Sequence, residues 1–353
     1  MKKALAILMV LALVGTAAFA EITIGGFGRG MFVFSSDASE TYTSAETSWG
    51  ATPRFGMSFA GKSDSVGFII DINSDGGATP SLGDNQQIWV KPIEMVTVRI
   101  GNIYDDTLRG NACFGTWDWI RRYGPNVGED AIFSRLGAKR SSNTDNFEIS
   151  VKPVDAFYAA VYFSGIGTPG AEALSETLFD DVQIAAGYTI DGIGQAKAQL
   201  IRYTAGLEVG NTIEVAFDYT AIENLFVSVG FKMETNDAIN EDKIINLYGK
   251  YTMDAFTFHL GSYNTIMTIP VIDETEVNYT IAVGLDYALD GGIGISGEVS
   301  YAGTTADGVD GTFTVFGGVN KGFSNGGIGA GVEILNDGSD TVWAIPVRLQ
   351  YFF

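Results

Sequence analysis

The stretch that most constrains this chain is its last, Thr341 to Phe353 (TVWAIPVRLQYFF). Counting back in twos, Phe353, Tyr351, Leu349, Val347, Ile345 and Trp343 are all apolar, while the interleaved Phe352, Gln350, Arg348, Pro346 and Ala344 include a full charge. Alternate side chains of a strand point to opposite faces, so one face is wholly apolar and the other wet. At ~3.3 Å per residue and a tilt of about 40°, the segment from Trp343 to Phe353 rises ~25 Å, about the height of the apolar band of a membrane-spanning barrel with an aromatic residue at each edge. The competing reading is the edge strand of a soluble sheet, but a long, flat, apolar edge invites aggregation.

The rest of the chain repeats the pattern. Phe55, Met57 and Phe59 alternate with Arg54, Gly56 and Ser58, and Val96, Val98 and Ile100 with Thr97, Arg99 and Gly101. Val277, Tyr279, Ile281, Val283, Leu285 and Tyr287 alternate with Asn278, Thr280 and Asp286. Short connections carry Asp191-Gly192, Gly291-Gly292 and Asn325-Gly326, the pairs that tight hairpins use. They alternate with longer polar connections, among which Tyr42 to Ser48 and Ser74 to Asn85 read as loops. The predicted fold is all-β: a transmembrane antiparallel up-and-down β-barrel of 16–18 strands. The count is eighteen if Ile132 to Arg140 belongs to a loop, and sixteen if one hairpin merges. The glycine-rich first strand, Ile22 to Phe34, has ambiguous facing. Arg202 and Lys321 fall on the apolar face, both at strand ends where a long side chain reaches the headgroup layer.

Residues 1–20 read as a signal peptide: Lys2 and Lys3, an apolar run from Ala4 to Val14, and the small-residue pattern Ala18-Phe19-Ala20. The run is too short to span a bilayer as a helix. Residues 21–353 then form the barrel. The whole chain has 45 glycines, 8 prolines and a formal charge of −21, which argues against nucleic acid as a partner. Its single cysteine, Cys113, excludes an internal disulfide and a cysteine-based metal site. No cofactor is implied.

A charge on the lipid face at mid-bilayer costs roughly 2–4 kcal/mol, so Arg54, Asp71, Lys91, Arg99, Glu148, Lys152, Lys197, Glu214, Asp218, Lys250, Asp286, Glu298, Glu333 and Arg348 should face the lumen. Barrels this wide are not filled by their own wall side chains, so the expected lumen is aqueous. The segment 103–131 (IYDDTLRGNACFGTWDWIRRYGPNVGEDA) breaks the alternation directly after the fifth strand. It is the candidate constriction, with Asp105, Asp106, Arg109, Asp118, Arg121 and Arg122 as its charged residues. The first strand should pair with the last, which places Arg348, Arg54, Lys91 and Arg99 on one arc of wall facing the carboxylates of that loop. Scattered lumen charge is the alternative reading of the same residues.

A terminal Phe after such a strand, short and long connections in alternation, and a long loop after strand five together resemble the general porins of bacterial outer membranes. That family often carries Arg directly after the strand-five glycine and an acidic Pro-Glu-Phe-Gly-Gly loop motif; here Asn102 follows Gly101 and the motif is absent. The resemblance implies an outer-membrane location, a surrounding of outer-membrane lipid, a homotrimer, and passive diffusion of small hydrophilic solutes. It also implies handling by periplasmic chaperones and the β-barrel assembly machinery, which would read Trp343, Leu349, Tyr351 and Phe353 as a signal. Two other functions suit the pattern: a surface adhesin or structural protein anchored by its barrel, and a channel selective for sugars or carboxylates.

No enzymatic site is expected. His259, the only histidine, has no recognisable nucleophile beside it in sequence. Gly292-Ile293-Gly294-Ile295-Ser296-Gly297 matches a nucleotide-binding pattern but lies on a strand with no helix following. The acidic loops lack the regular spacing of a calcium site. Trp117-Asp118-Trp119 suits packing against the wall or sugar stacking.

Overall fold

In a computed structural model the described residues are 21–36, 41–47, 50–51, 54–75, 81–103, 105–108, 146–164, 182–205, 208–236, 242–269 and 274–353. The expected signal peptide at residues 1–20, Ile132 to Arg140 and most of the segment 103–131 lie outside them. The strands are β1 (Glu21–Ser36), β2 (Thr41–Thr47), β3 (Gly50–Ala51), β4 (Arg54–Lys62), β5 (Val66–Asp75), β6 (Ser81–Ile93), β7 (Val96–Asn102), β8 (Asn146–Val154), β9 (Phe157–Ser164) and β10 (Val182–Ile190). They continue with β11 (Gly194–Ala205), β12 (Glu208–Tyr219), β13 (Leu225–Asn236), β14 (Lys243–Met253), β15 (Phe256–Ile269), β16 (Glu274–Leu289), β17 (Ile293–Thr304), β18 (Thr312–Phe323), β19 (Gly326–Asn336) and β20 (Thr341–Phe352).

β2 and β3 form a small hairpin against the end of β1. The other eighteen strands make a closed antiparallel ring. Each pairs with its neighbour in sequence, and β20 returns to β1 with Phe27 opposite Phe352 and Phe34 opposite Ile345. Closure runs to the last residue: the amide of Gly26 donates to the carbonyl of Phe353 at 2.9 Å, and the amide of Phe353 donates back to Gly26 at 3.0 Å. Among the described residues, the eighteen-strand ring itself has no free strand edge, the feature by which closed barrels avoid edge-to-edge pairing.

Two of the three expected glycine turns carry left-handed backbone, while Asn325-Gly326 turns without a positive φ. Gly192, Gly291 and Gly292 have φ of 67°, 76° and 75°, and Asn224 and Asp254 supply left-handed positions at two further turns. Glu21, the first described residue, and Phe353 lie on this rim, since Glu21 pairs with Lys62 beside one short turn and the Phe352 amide donates to Asn325 in another.

Facing follows the alternation. Trp343, Ile345, Leu349 and Tyr351 are exposed on the outside, while Val342, Ala344 and Arg348 are buried on the inside. The same phase holds at Ile281, Val283 and Leu285 against Ala282, and at Val332 and Ile334 against Glu333. The ambiguity of the first strand is resolved: Ile22, Ile24, Phe32 and Phe34 face out, and Met31, Val33 and Ser35 face in. Lys321, on the apolar face, sends its ammonium back to the carbonyl of Gly291 in the neighbouring short turn, so the charge leaves the apolar band.

Two expected loops contain strand. Thr41–Thr47 is β2, and the stretch from Ser74 to Asn85 holds the end of β5 and the start of β6. Beyond the apolar band a strand needs only backbone pairing, so its side chains can be polar on both faces and the alternation that marks it in sequence disappears.

Candidate functional site

The site is the inner wall, most clearly defined where the chain leaves β7. Gly101 has φ 128°, and a Cβ there would sit 2.0 Å from the carbonyl oxygen of Gln86, so only glycine fits. The chain then turns inward. Ile103 and Leu108 are buried against Tyr158, Ala160, Tyr162, Ala185 and Ala216, the inward residues of β9, β10 and β12. Leu108 fills the space above Gly187, where a Cβ would meet its methyl at 2.3 Å.

Asp105 anchors this root and is buried, at 5% exposure. The Tyr162 hydroxyl donates to its Oδ2 at 2.7 Å, and the Tyr158 hydroxyl donates to the same oxygen. The Thr107 amide and hydroxyl donate to Oδ1 at 2.8 and 2.5 Å. The Arg99 guanidinium stands 3.7 Å away. Arg99 also bonds Glu148, directly opposite it on β8, and donates to the Ser150 hydroxyl at 3.3 Å. Two carboxylates thus share one guanidinium, and neutral hydroxyls satisfy much of the remaining acceptor capacity. Asp106 is exposed. Arg109, Asp118, Arg121 and Arg122 lie outside the described residues, as do Cys113 and Trp117 to Trp119.

The four basic residues expected on one arc lie on β20, β4, β6 and β7, at different depths. Arg54 and Arg348 are buried on the inner wall on either side of β1. Between them stands Arg29, opposite both Arg54 and Gln350, which the ambiguous facing of the first strand concealed. The guanidinium carbons of Arg29 and Arg54 lie 5.0 and 5.6 Å from the ring centroid of Phe27, within cation–π range. Arg99 belongs to the carboxylate cluster above. Lys91 sits at the short-turn rim and is exposed, so the structure does not bring it together with the arginines.

Hydrogen bonds lace the remaining inner wall from strand to strand. Gln183 donates to Gln199 at 2.7 Å, Gln199 donates to Glu214, and Lys197 pairs with Asp218 at 2.8 Å. Farther round, Tyr248, His259, Asp286 and Ser296 from β14 to β17 form a chain with contacts of 2.9, 2.8 and 2.6 Å. Both ring nitrogens of His259 are engaged, and the Ser296 hydroxyl bonds the aspartate. The histidine therefore does not stand as a base beside that serine, which a hydrolytic triad requires. Sequence alone could not find these chains, because their members meet only through strand register.

Chains of solved structures match this protein over almost its full length. An anion-selective porin from Comamonas acidovorans superposes with a TM-score of 0.57 at 12% identity, covering 95% of this chain and 100% of that one. The fold is that of the bacterial outer-membrane porins. Pseudomonas aeruginosa OpdQ gives a TM-score of 0.57 at 8% identity over 95% and 98% of the two chains. A trimer form of the Vibrio cholerae outer-membrane protein OmpT gives 0.54 at 13% identity over 95% and 100%. No family model and no curated protein sequence matches. The porin fold is thus carried by the alternation of faces and the closed register, with little residue identity.

Proposed function

We propose that the protein is an outer-membrane channel through which small hydrophilic solutes and ions diffuse, narrowed by the loop that begins at Ile103. The observation that carries this reading is the closed ring with an apolar outer face and a charged inner face, from which the segment Ile103 to Leu108 turns inward instead of outward. A closed ring satisfies every wall backbone group within a membrane, and an exposed apolar belt outside it is at home only in lipid. The signal peptide at residues 1–20 supports export, and the aromatic face of β20 supports recognition by the assembly machinery. The neighbour solved as a trimer supports a trimer here. Arg29, Arg54 and Arg348 on one side, with Glu148, Asp105 and Arg99 on another, would set a field across the lumen. Purified protein added to a planar lipid bilayer tests the reading: stepwise, non-saturating conductance supports it, and insertion without a step favours a barrel that serves only as an anchor.

A further inference from the structure

The outer wall is not evenly covered. A groove of ≈ 490 Å³ lies on it over Gly249 of β14. Gly249 stands in one row with Val227 of β13, Leu260 of β15 and Val283 of β16, and an added Cβ there would meet nothing closer than the Phe226 carbonyl oxygen at 3.7 Å. Leu247 and Tyr251 bound the gap along β14, and Phe258 adjoins it on β15. The lining includes Leu225, the first residue of β13, so the groove reaches the short-turn rim. There the β12–β13 and β14–β15 turns lie side by side, the Thr252 amide donating to the Asn224 carbonyl at 3.0 Å. They carry Glu223 and Asp254, both exposed. Asp254 is three residues past Tyr251, a rise of about 10 Å along a strand. The short turns from β4 to β9 each set a lysine near their acid, Lys62 with Asp64, Lys91 with Glu94 and Lys152 with Asp155, the last as an ion pair at 3.0 Å. The β12–β13 and β14–β15 turns carry no lysine. Lys250, four positions before Asp254, is on the inner face, with its ammonium 5.8 Å from the ring centroid of Phe226.

We propose that this groove is a binding site for a phospholipid whose headgroup ends in a primary ammonium. One acyl chain fills the space left by the missing side chain at position 249, and Glu223 and Asp254 accept hydrogen bonds from the ammonium. The groove supplies the apolar contact that any acyl chain makes. The two carboxylates select the headgroup: an ammonium with N–H donors forms charge-assisted hydrogen bonds, a trimethylated ammonium cannot donate, and a headgroup of net negative charge is repelled. These contacts are exposed, so the preference is modest and salt weakens it. The proposal rests on the outer face lying against lipid and does not depend on whether the lumen conducts.

Native mass spectrometry of the full, delipidated barrel in detergent at low ionic strength tests this without any pore current. The probes are phosphatidylethanolamine, phosphatidylcholine and phosphatidylglycerol with identical acyl chains, offered in equal amounts. The ethanolamine lipid should be retained about threefold over the choline lipid and by more over the glycerol lipid. Glu223→Gln/Asp254→Asn changes only exposed turn residues, and Asn keeps the left-handed backbone of position 254, where φ is 51°. It should bring the ethanolamine lipid down to the level of the choline lipid and leave the choline lipid unchanged. Gly249→Leu, which fills the groove, should lower retention of both by the same factor. Equal retention of the two lipids by the wild type, a preference that survives the double variant, or unchanged retention in Gly249→Leu overturns the proposal. Retention by a monomer that is lost in an oligomer also overturns it, because a second copy then covers the groove. A barrel that shows the preference but no conductance step leaves the site standing and removes the channel reading; a conducting barrel without the preference removes the site alone.

Discussion

Arg99 on β7 and Glu148 on β8 stand directly opposite each other on the inner wall and are joined by a hydrogen-bonded ion pair. Glu148 is fully buried. Breaking such a pair from one side leaves an uncompensated buried charge, at about 3–5 kcal/mol. Arg99→Met should therefore lower the urea midpoint of the folded barrel clearly. The double variant Arg99→Met/Glu148→Gln should recover most of the loss. Additive losses in the double variant would show that the pair is not coupled.

Asp105 holds the short described segment that follows β7 to the inner wall through Tyr158, Tyr162 and Thr107. Asp105→Ala removes the shared acceptor of two buried hydroxyls, a loss of about 2–4 kcal/mol. Asp105→Asn, which keeps an acceptor oxygen, should lose less. Reconstituted Asp105→Ala channels should also show noisier open-state current than the wild type. An unchanged unfolding midpoint together with unchanged noise would mean that the loop root is held by other contacts.

Glycine positions on the outer face should differ sharply. A Cβ at Gly26 would stand 2.5 Å from the Phe353 ring and 2.6 Å from the Gly56 carbonyl oxygen, which is backbone and cannot swing away. Gly26→Ala should disturb closure of β20 on β1 and reduce the yield of heat-modifiable barrel in a refolding assay. At Gly297 nothing lies within 4 Å. Gly297→Ala should be neutral or stabilising by about 0.5–1 kcal/mol, because the unfolded chain loses freedom and the strand gains a methyl. Equal refolding yields for the two variants would contradict the closure geometry.

Arg54 contributes positive charge to the inner wall beside β1. Arg54→Ala should shift the zero-current potential across a salt gradient toward cations, raising the cation-to-anion permeability ratio by about twofold. An unchanged ratio would show that the arginines near the barrel seam do not sense the permeating ions.

The ring and its facing were legible in the sequence because lipid enforces period-two alternation, as Val347, Arg348 and Leu349 show within three residues. Where lipid does not reach, the signal fades: β2 and the polar ends of β5 and β6 read as loop. Arg29 was missed because glycines at 25, 26, 28 and 30 leave too few side chains to set the phase of β1. Asp105 was visible as a charged loop residue, but its partners Tyr158 and Tyr162 lie more than fifty positions away and meet it only through the barrel's register. The same holds for the chain from Tyr248 to Ser296.

The claim on which the rest depends is that β20 turns its odd-numbered residues to lipid and its even-numbered residues to the lumen. Spin labels placed singly from Val342 to Tyr351, with Cys113 replaced, test it in bilayers through accessibility to dissolved oxygen. Oxygen accessibility should peak at Trp343, Ile345, Val347, Leu349 and Tyr351 and fall at Ala344, Pro346 and Arg348. A flat profile, or one with the opposite phase, would contradict the barrel and the channel reading together.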